Sequence, residues 1–332
     1  MDTRQSTFLE DVSNLVRKHP PLWDQKTFYG RFRHFAFITN PLLSLKTEKD
    51  LYDAKELYFQ YNTPPYVKLE FVSAKQLYES AFHPDSGELQ NVFGRMSFQM
   101  PGGCIVTGAM LQWYRTNAGV VFWQWVNQSF NALVNYTNRN ANSPLTTKQM
   151  GVAYISAMSA AMATALSFKF IVQKRTTNPI FARFVPFVAV AAANCVNIPL
   201  MRQNEIRLGL DVTDENGNII GKSKVAPIKG ISQVITSRII MCSPGMLLLP
   251  FIMESIEKKP WMQRMKGGHV IVQTAIVGLF LTFMVPVACA VFPQQCKLST
   301  STMKRFEPKR YEELLQNTKN KPPQYVYFNK GL

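Results

Sequence analysis

The order of apolar and polar residues divides the chain into a mixed, polar first part and a second part dominated by long apolar runs. Five apolar segments are long enough to cross a bilayer, since a helix rises ~1.5 Å per residue and the hydrocarbon core is ~30 Å thick. They lie at roughly 98–116, 150–172, 181–201, 228–253 and 269–292. Soluble helices of this length rarely lack a charged face. The pattern therefore predicts an all-α fold class: a polytopic membrane helix bundle with about five transmembrane helices.

The regions on either side of this predicted transmembrane domain (98–292) are more polar. Residues 1–97 are predicted as a helical, soluble N-terminal region, because amphipathic patterns recur at 47–61 and 68–82. Residues 293–332 are assigned as a C-terminal tail. An odd number of spans would place the two termini on opposite faces of the membrane.

A short polar stretch separates the third and fourth segments. Residues 209–221 are predicted as a hairpin, because Asn216-Gly217 is typical of a type I′ turn. A calcium loop is the alternative for the acids Asp211, Asp214 and Glu215. The spacing lacks the distal acidic ligand of an EF-hand, which favours the hairpin.

The segment 119–138 is amphipathic rather than apolar throughout. At ~100° per residue its amide side chains fall on one arc of a helix. This amide stripe consists of Gln124, Asn127, Gln128, Asn131, Asn135 and Asn138. Aromatic residues cover the other side, as in helices at a membrane interface, so we expect an interfacial or partly inserted helix. Because an unpaired amide is costly in hydrocarbon, the stripe should face protein or water rather than lipid tails.

Charge and composition limit the classes of partner that the protein could bind. The 332 residues carry a net charge of +16, with Lys and Arg spread over the loops and the tail. Basic flanks of membrane segments contact anionic lipid such as cardiolipin, so lipid is favoured over nucleic acid as a partner. Five cysteines and four histidines show no metal-ligand spacing, and no catalytic motif is present. The sequence thus predicts no metal site, no cofactor and no enzyme activity, and it leaves the oligomeric state open.

Polar residues inside the apolar segments are the candidate substrate-binding residues, because each is costly in lipid and needs a partner. Asn194 and Asn197 share one face of the third segment, and Arg238 lies in the fourth. The Ser243-Pro244-Gly245 stretch is expected to break the fourth helix, and broken helices build substrate sites in transporters. The predicted substrate-binding set is Asn194, Asn197, Arg238, Ser243 and Gly245. Helix packing is the competing interpretation, since such side chains also hydrogen-bond between membrane helices.

Six sequence stretches, spread over nearly the whole chain, resemble the sideroflexin family in the family's own order. They are residues 23–31 (WDQKTFYGR), 81–88 (AFHPDSGE), 123–139, 183–203, Pro244-Gly245 and 326–332. Residues 96–103 and 283–289 are most similar to the second vertebrate paralogue.

The resemblance implies a multi-pass protein of the mitochondrial inner membrane. It also implies transport of serine, and of alanine or cysteine, into the matrix to feed one-carbon metabolism. The family is further associated with haem and iron homeostasis. It supplies no substrate-binding residues, so the candidate site rests on the physical argument alone.

Two alternative functions remain open from the residues. A non-transporting inner-membrane scaffold for haem, iron or respiratory assembly would have closed, dry helix contacts without a midplane cavity. A carrier of di- or tricarboxylates would need several basic groups inside the membrane, and Arg238 is the one that the sequence clearly places there.

Overall fold

The computed structural model describes residues 19–61, 68–84, 86–138, 146–175, 179–265, 267–319 and 321–331. Residues 1–18 of the predicted N-terminal region and Leu332 of the tail lie outside these ranges. Helices dominate the described residues, which confirms the predicted helical class, and one small sheet is added to them.

The described part of the N-terminal region contains three α-helices: α1 (Phe28–Ile38), α2 (Glu48–Gln60) and α3 (Leu69–Ala81). Helix α2 begins at a capping box, in which the backbone N–H of Asp50 donates to Thr47 Oγ1 and the Thr47 N–H donates to the Asp50 carboxylate. Helices α2 and α3 bury one shared, largely aromatic core made of Leu51, Tyr58, Phe71 and Tyr78. The predicted helical N-terminal region is confirmed.

Six helices of the second part form a closed ring in which each packs against the next. They are α4 (Gln99–Gln112), α5 (Asn117–Thr137), α6 (Thr147–Arg175), α7 (Val185–Met201), α9 (Val225–Glu257) and α11 (Gly268–Val291). Helix α11 closes the ring by packing against α4. The connections include two short helices, α8 (Gln203–Leu208) and α10 (Pro260–Arg264).

Three of the described helices are long and apolar enough to cross a membrane: Thr147–Val172 of α6, all of α9 and all of α11. They coincide with three predicted segments and confirm the membrane helix bundle. Helix α7, at the predicted segment 181–201, has 17 residues. Helix α4, at the predicted segment 98–116, has 14 residues and is therefore only ~21 Å long. Two of the five predicted spans are thus shorter than the apolar pattern indicated.

Helix α5 differs most from its expectation. It lies within the ring, between α4 and α6, rather than apart from the bundle at the membrane interface. Burial of its amide face accounts for the difference, because the side chains that would be costly in lipid are covered by neighbouring helices. The ring consequently has an even number of helices.

The alternation of the ring helices gives the bundle two ends. At one of them, named the sheet end, α4 and α9 begin and α11 ends. Arg31 of α1 donates from Nε to the carbonyl of Ala290 there, at 2.8 Å. The backbone N–H of Lys330 donates to the carbonyl of Gln294, at 2.7 Å. Residues near both termini therefore meet at the sheet end. The opposite end is named the cavity end, because a cavity opens there.

A four-stranded antiparallel sheet lies at the sheet end, with the order β2-β1-β4-β3. Its strands are β1 (Leu210–Thr213), β2 (Ile219–Ser223), β3 (Gln295–Ser299) and β4 (Tyr325–Asn329), and α12 (Thr300–Phe306) and α13 (Pro308–Asn317) lie between the last two. Strands β1 and β2 form the hairpin between α8 and α9. The Asp214 carboxylate accepts the N–H groups of Asn216 and Asn218, both at 2.9 Å, so this acid holds the turn. Two strands and two helices thus occupy the tail, where the sequence pattern predicted no elements.

We expect tags fused to the two ends of the chain to be cut from the same side of the membrane in mitoplasts. Helices α4 and α5 are joined by a short turn and cross together or not at all, so four or six ring helices cross. An even number returns the chain to its starting side, and Arg31 and Lys330 both lie at the sheet end. Protease protection of each tag measures this, with matrix and intermembrane-space markers as controls. Cleavage from opposite sides would mean that one ring helix does not cross.

Candidate functional site

A cavity of about 510 Å³ opens at the cavity end of the ring. It lies where α4 and α9 end and α11 begins, and Arg183 adds to its wall from the 3₁₀ turn Pro179–Phe184 that precedes α7. The wall is formed by residues 111–116, Arg183, Leu249, Pro250, Met253, Glu257, Gly267, His269, Val270 and Gln273. The volume is sufficient for a small polar molecule.

A cation and an anion face each other in this cavity. Arg183 Nη2 lies 3.3 Å from Glu257 Oε2, and Arg183 Nη1 donates to the carbonyl of Pro250 at 3.1 Å. His269 Nδ1 lies 3.6 Å from the other Glu257 oxygen. A guanidinium can bind a carboxylate through two parallel hydrogen bonds, and a carboxylate accepts from an ammonium group. The pair therefore presents the two charges that complement an amino-acid zwitterion.

The inner wall of the cavity is polar where α4 and α11 approach closely. Gln273 is buried, lines the cavity and donates from Nε2 to the carbonyl of Gly108 at 3.1 Å. Gly108 allows this approach, since a Cβ there would lie 2.8 Å from Thr274 Oγ1. Gln273 thus places a polar side chain in the cavity wall at the contact between α4 and α11.

The amide stripe of α5 faces neighbouring helices. Gln124, Asn127 and Gln128 are at most 8 % exposed, whereas Phe122 and Trp125 on the other side are about half exposed. Three buried polar atoms of the stripe have no hydrogen-bond partner: Gln124 Oε1, Asn127 Nδ2 and Gln128 Nε2. Buried polar groups are nearly always paired, so three unpaired amides on one helix require an explanation such as water or a transient ligand.

The lower part of the stripe has a different environment. Asn131 and Asn135 are half-buried. Asn138 is fully engaged, because its Nδ2 donates to the carbonyls of Gly94 and Val134 and its Oδ1 accepts from Gln90. Asn138 therefore anchors the end of α5 to the segment that follows α3.

The sequence-predicted substrate residues lie on two neighbouring antiparallel helices, α7 and α9. Val190 packs with Met246, and Ile198 packs with Ile231 and Val234. This register places Asn194 and Asn197 at the level of Arg238. Among the described residues no hydrogen bond joins these three side chains. The 510 Å³ cavity is lined by none of the five predicted residues, so their role in binding stays a prediction.

The expected helix break at Pro244-Gly245 is wrong. Helix α9 is continuous from Val225 to Glu257, through Pro244 and Pro250. Ser243 Oγ donates to the carbonyl of Ile239 at 2.6 Å, within the same helix, and membrane helices tolerate proline where their neighbours support the backbone. A Cβ on Gly245 would lie 3.5 Å from Phe280, in ordinary contact, so this glycine packs α9 against α11.

The sequence pattern did not single out Arg183, Glu257 or His269 as binding residues. One signal was present: a cation lies at the start of the third apolar segment, an acid follows the fourth and a histidine starts the fifth. In antiparallel helices these three positions fall at the same end of a bundle.

Comparison with known proteins identifies the family. A family model described as Sideroflexins matches residues 18–332. The chain is a sideroflexin. Sideroflexin-2 of Drosophila melanogaster is 53% identical over 98% of this chain and 100% of its own length. Sideroflexin-2 of Homo sapiens is 52% identical and Sideroflexin-1 of Homo sapiens 45%, each over 94% of this chain and 96% of its own length.

These identities confirm the resemblance to the second paralogue. No solved structure matches the sideroflexin chain. Its family and its apolar helices establish it as a membrane protein.

Proposed function

We propose that this sideroflexin transports a small amino acid across the mitochondrial inner membrane. Serine is the leading substrate, with alanine or cysteine as further substrates, and entry into the matrix would supply one-carbon metabolism. The observation that carries the proposal is the Arg183–Glu257 pair, 3.3 Å apart in a cavity open at one end of the bundle. Arg183 would bind the α-carboxylate and Glu257 the α-ammonium group.

The same pair favours a zwitterion over a di- or tricarboxylate. Glu257 balances Arg183, and it would repel an additional carboxylate at short range. The serine hydroxyl would add one hydrogen bond, worth roughly 0.5–1.5 kcal/mol net, so discrimination against alanine should be modest.

A polar route that leads inward from the cavity is part of this proposal. Gln273 continues the lining, and the unpaired amides of Gln124, Asn127 and Gln128 offer donors and acceptors deeper in the ring. Asn194, Asn197 and Arg238, with Ser243 and Gly245 nearby on α9, would form an inner site on this route. We assign the unpaired amides to contacts with the moving substrate or its water.

We expect Gln128→Leu to lower serine uptake into proteoliposomes about tenfold while folded protein in the membrane stays at the wild-type level. Gln128 Nε2 is buried without a partner, so an apolar replacement of similar size removes an unsatisfied group and costs little stability. Uptake is measured with radiolabelled serine and normalised to folded protein.

Gln316→Leu is the matched control, because Gln316 is an exposed amide of α13, outside the ring. Normal uptake by Gln128→Leu would leave the amide stripe with a packing role. If the wild-type chain takes up no more serine than empty liposomes do, the scaffold function takes the place of transport.

A further inference from the structure

Three cations, two of them buried and one half-buried, lie together at the sheet end, far from the cavity. They are Arg31 of α1, Arg202 after α7 and Lys330 after β4, and they are named the cationic cluster. Arg31 is 6 % exposed, Lys330 is 2 % exposed, and the Arg202 side chain is 15 % exposed. Each comes from a different region of the chain, so the cluster exists only in the folded protein.

Backbone contacts bring the three side chains together. Arg31 binds the carbonyl of Ala290, and the N–H of Lys330 binds the carbonyl of Gln294. A Cβ on Gly331 would lie 3.5 Å from Arg202 Nη2. Burial lowers the pKa of the Lys330 ammonium; the neighbouring Cys289 and Cys296 thiols act to raise it, and the charges of Arg202 and Arg31 lower it further.

The cluster is short of negative charge. Among the described residues, Glu205 is the one carboxylate in an ion pair with it, through Arg202 Nε and Nη2. Asp24 acts on Arg31 electrostatically, without an ion pair. The Lys330 ammonium has one acceptor in the described part of the chain, the Phe292 carbonyl at 3.4 Å. A buried charge without a partner is costly.

Two further hydrogen-bond donors beside Lys330 are unpaired. Arg202 Nη1 and Gln294 Nε2 are buried atoms without a hydrogen-bond partner. Arg202 and Gln294 as whole residues are half-buried, so the cluster lies close to the surface although these two donor atoms are themselves covered. It lies directly after the ends of α7 (Met201) and α11 (Val291), where a ring helix leaves the bilayer and lipid phosphates are found.

We propose that the cationic cluster, with Gln294, binds a phosphate group. The site supplies a guanidinium N–H, an ammonium and an amide N–H, all unpaired or weakly paired, to a tetrahedral group with several acceptor oxygens. Phosphate would also compensate the excess positive charge. The group can belong to an anionic lipid headgroup or to a free phosphate in solution. This site is separate from the Arg183–Glu257 pair, and the proposal does not depend on serine transport.

The test uses the full-length protein in nanodiscs and follows its melting temperature. One arm adds inorganic phosphate to phosphatidylcholine discs, against sodium chloride of equal ionic strength. A second arm compares discs with and without cardiolipin. We expect stabilisation in at least one arm. A shift with phosphate identifies the free ion, whereas a shift with cardiolipin and none with phosphate identifies the headgroup.

Lys330→Met is expected to raise the apparent Kd of the stabilising probe about tenfold or more, because it removes one charged hydrogen-bond donor. Without the probe, this variant should be as stable as the wild type or more stable, since it removes an uncompensated buried charge. Gln294→Leu should weaken binding while keeping the charge. Lys309→Met, which removes an exposed lysine of α13, is the matched control and should bind like the wild type.

Two results overturn the proposal. One is that neither probe stabilises the wild-type protein beyond chloride or phosphatidylcholine. The other is an equal response of wild type, Lys330→Met and Gln294→Leu, which would show general screening of a basic protein. A loss of stability in Lys330→Met without any probe would assign Lys330 to the fold. In that case the Kd of Gln294→Leu is the test: a raised Kd supports the phosphate site, and a wild-type Kd overturns it.

Discussion

Arg183→Gln is expected to reduce serine uptake by this sideroflexin about a hundredfold. The variant removes both charged hydrogen bonds that the guanidinium offers to a substrate carboxylate, each worth ~1.5–3 kcal/mol, and tenfold corresponds to ~1.4 kcal/mol. It also leaves Glu257 without its partner at 3.3 Å, so the cavity would repel the carboxylate. Initial uptake rates over a range of serine concentrations, in proteoliposomes with equal amounts of folded protein, measure the loss.

The conservative variant and a matched control make this result specific. Arg183→Lys keeps the charge but loses the planar, two-pronged geometry, so an intermediate loss with a raised KM is expected. Arg264→Gln removes an exposed cation at the same end of the bundle, in α10, and should leave uptake unchanged. Serinamide, which lacks the carboxylate charge, should compete poorly with serine for the wild-type protein. Wild-type KM and maximal rate in Arg183→Gln would remove Arg183 from the binding site.

The fold illustrates which features an apolar pattern can predict. Helices α6, α9 and α11 were predictable, because an uninterrupted apolar run of this length admits few alternatives to a membrane helix. The position of α5 was not, since its aromatic face suits both a membrane interface and the outside of a ring. Strand β4 was missed for another reason: its five residues pair with β3, and Tyr327 also pairs with Thr213 of β1, more than 100 residues earlier, so no local pattern reports these partners.

The candidate site also has parts that the sequence could predict and parts that it could not. Helical periodicity was sufficient to identify the amide stripe, because the amides lie on one turn after another of a single helix. The Arg183–Glu257 pair joins two helices, and finding it requires the order in which the ring closes. The Pro244-Gly245 break failed as a prediction because α9 continues through both residues, where Gly245 packs against Phe280 of α11. Tertiary contacts, unlike periodicity, decide such cases.

Glu307→Ala is expected to lower the free energy of unfolding by about 3 kcal/mol, the largest stability effect that we anticipate outside the cores. Glu307 lies between α12 and α13, yet its carboxylate caps α9. It accepts hydrogen bonds from Ser223 Oγ and from the N–H of Lys224, both at 2.6 Å, and from the N–H of Val225 at 3.0 Å. Charged acceptors at a helix N-terminus form strong hydrogen bonds and interact favourably with the helix dipole.

The capping carboxylate also joins the tail to the longest ring helix, so its loss should loosen both. In nanodiscs we expect a fall in melting temperature of about 6–12 °C, by the scaling of ~2–4 °C per kcal/mol. Glu313→Ala is the control: it removes an exposed carboxylate of α13 and should stay within ~0.5 kcal/mol of the wild type. Equal melting temperatures for the two variants would mean that water replaces the carboxylate at the start of α9, and that the tail is held by its buried apolar residues, among them Leu314, Val326 and Phe328.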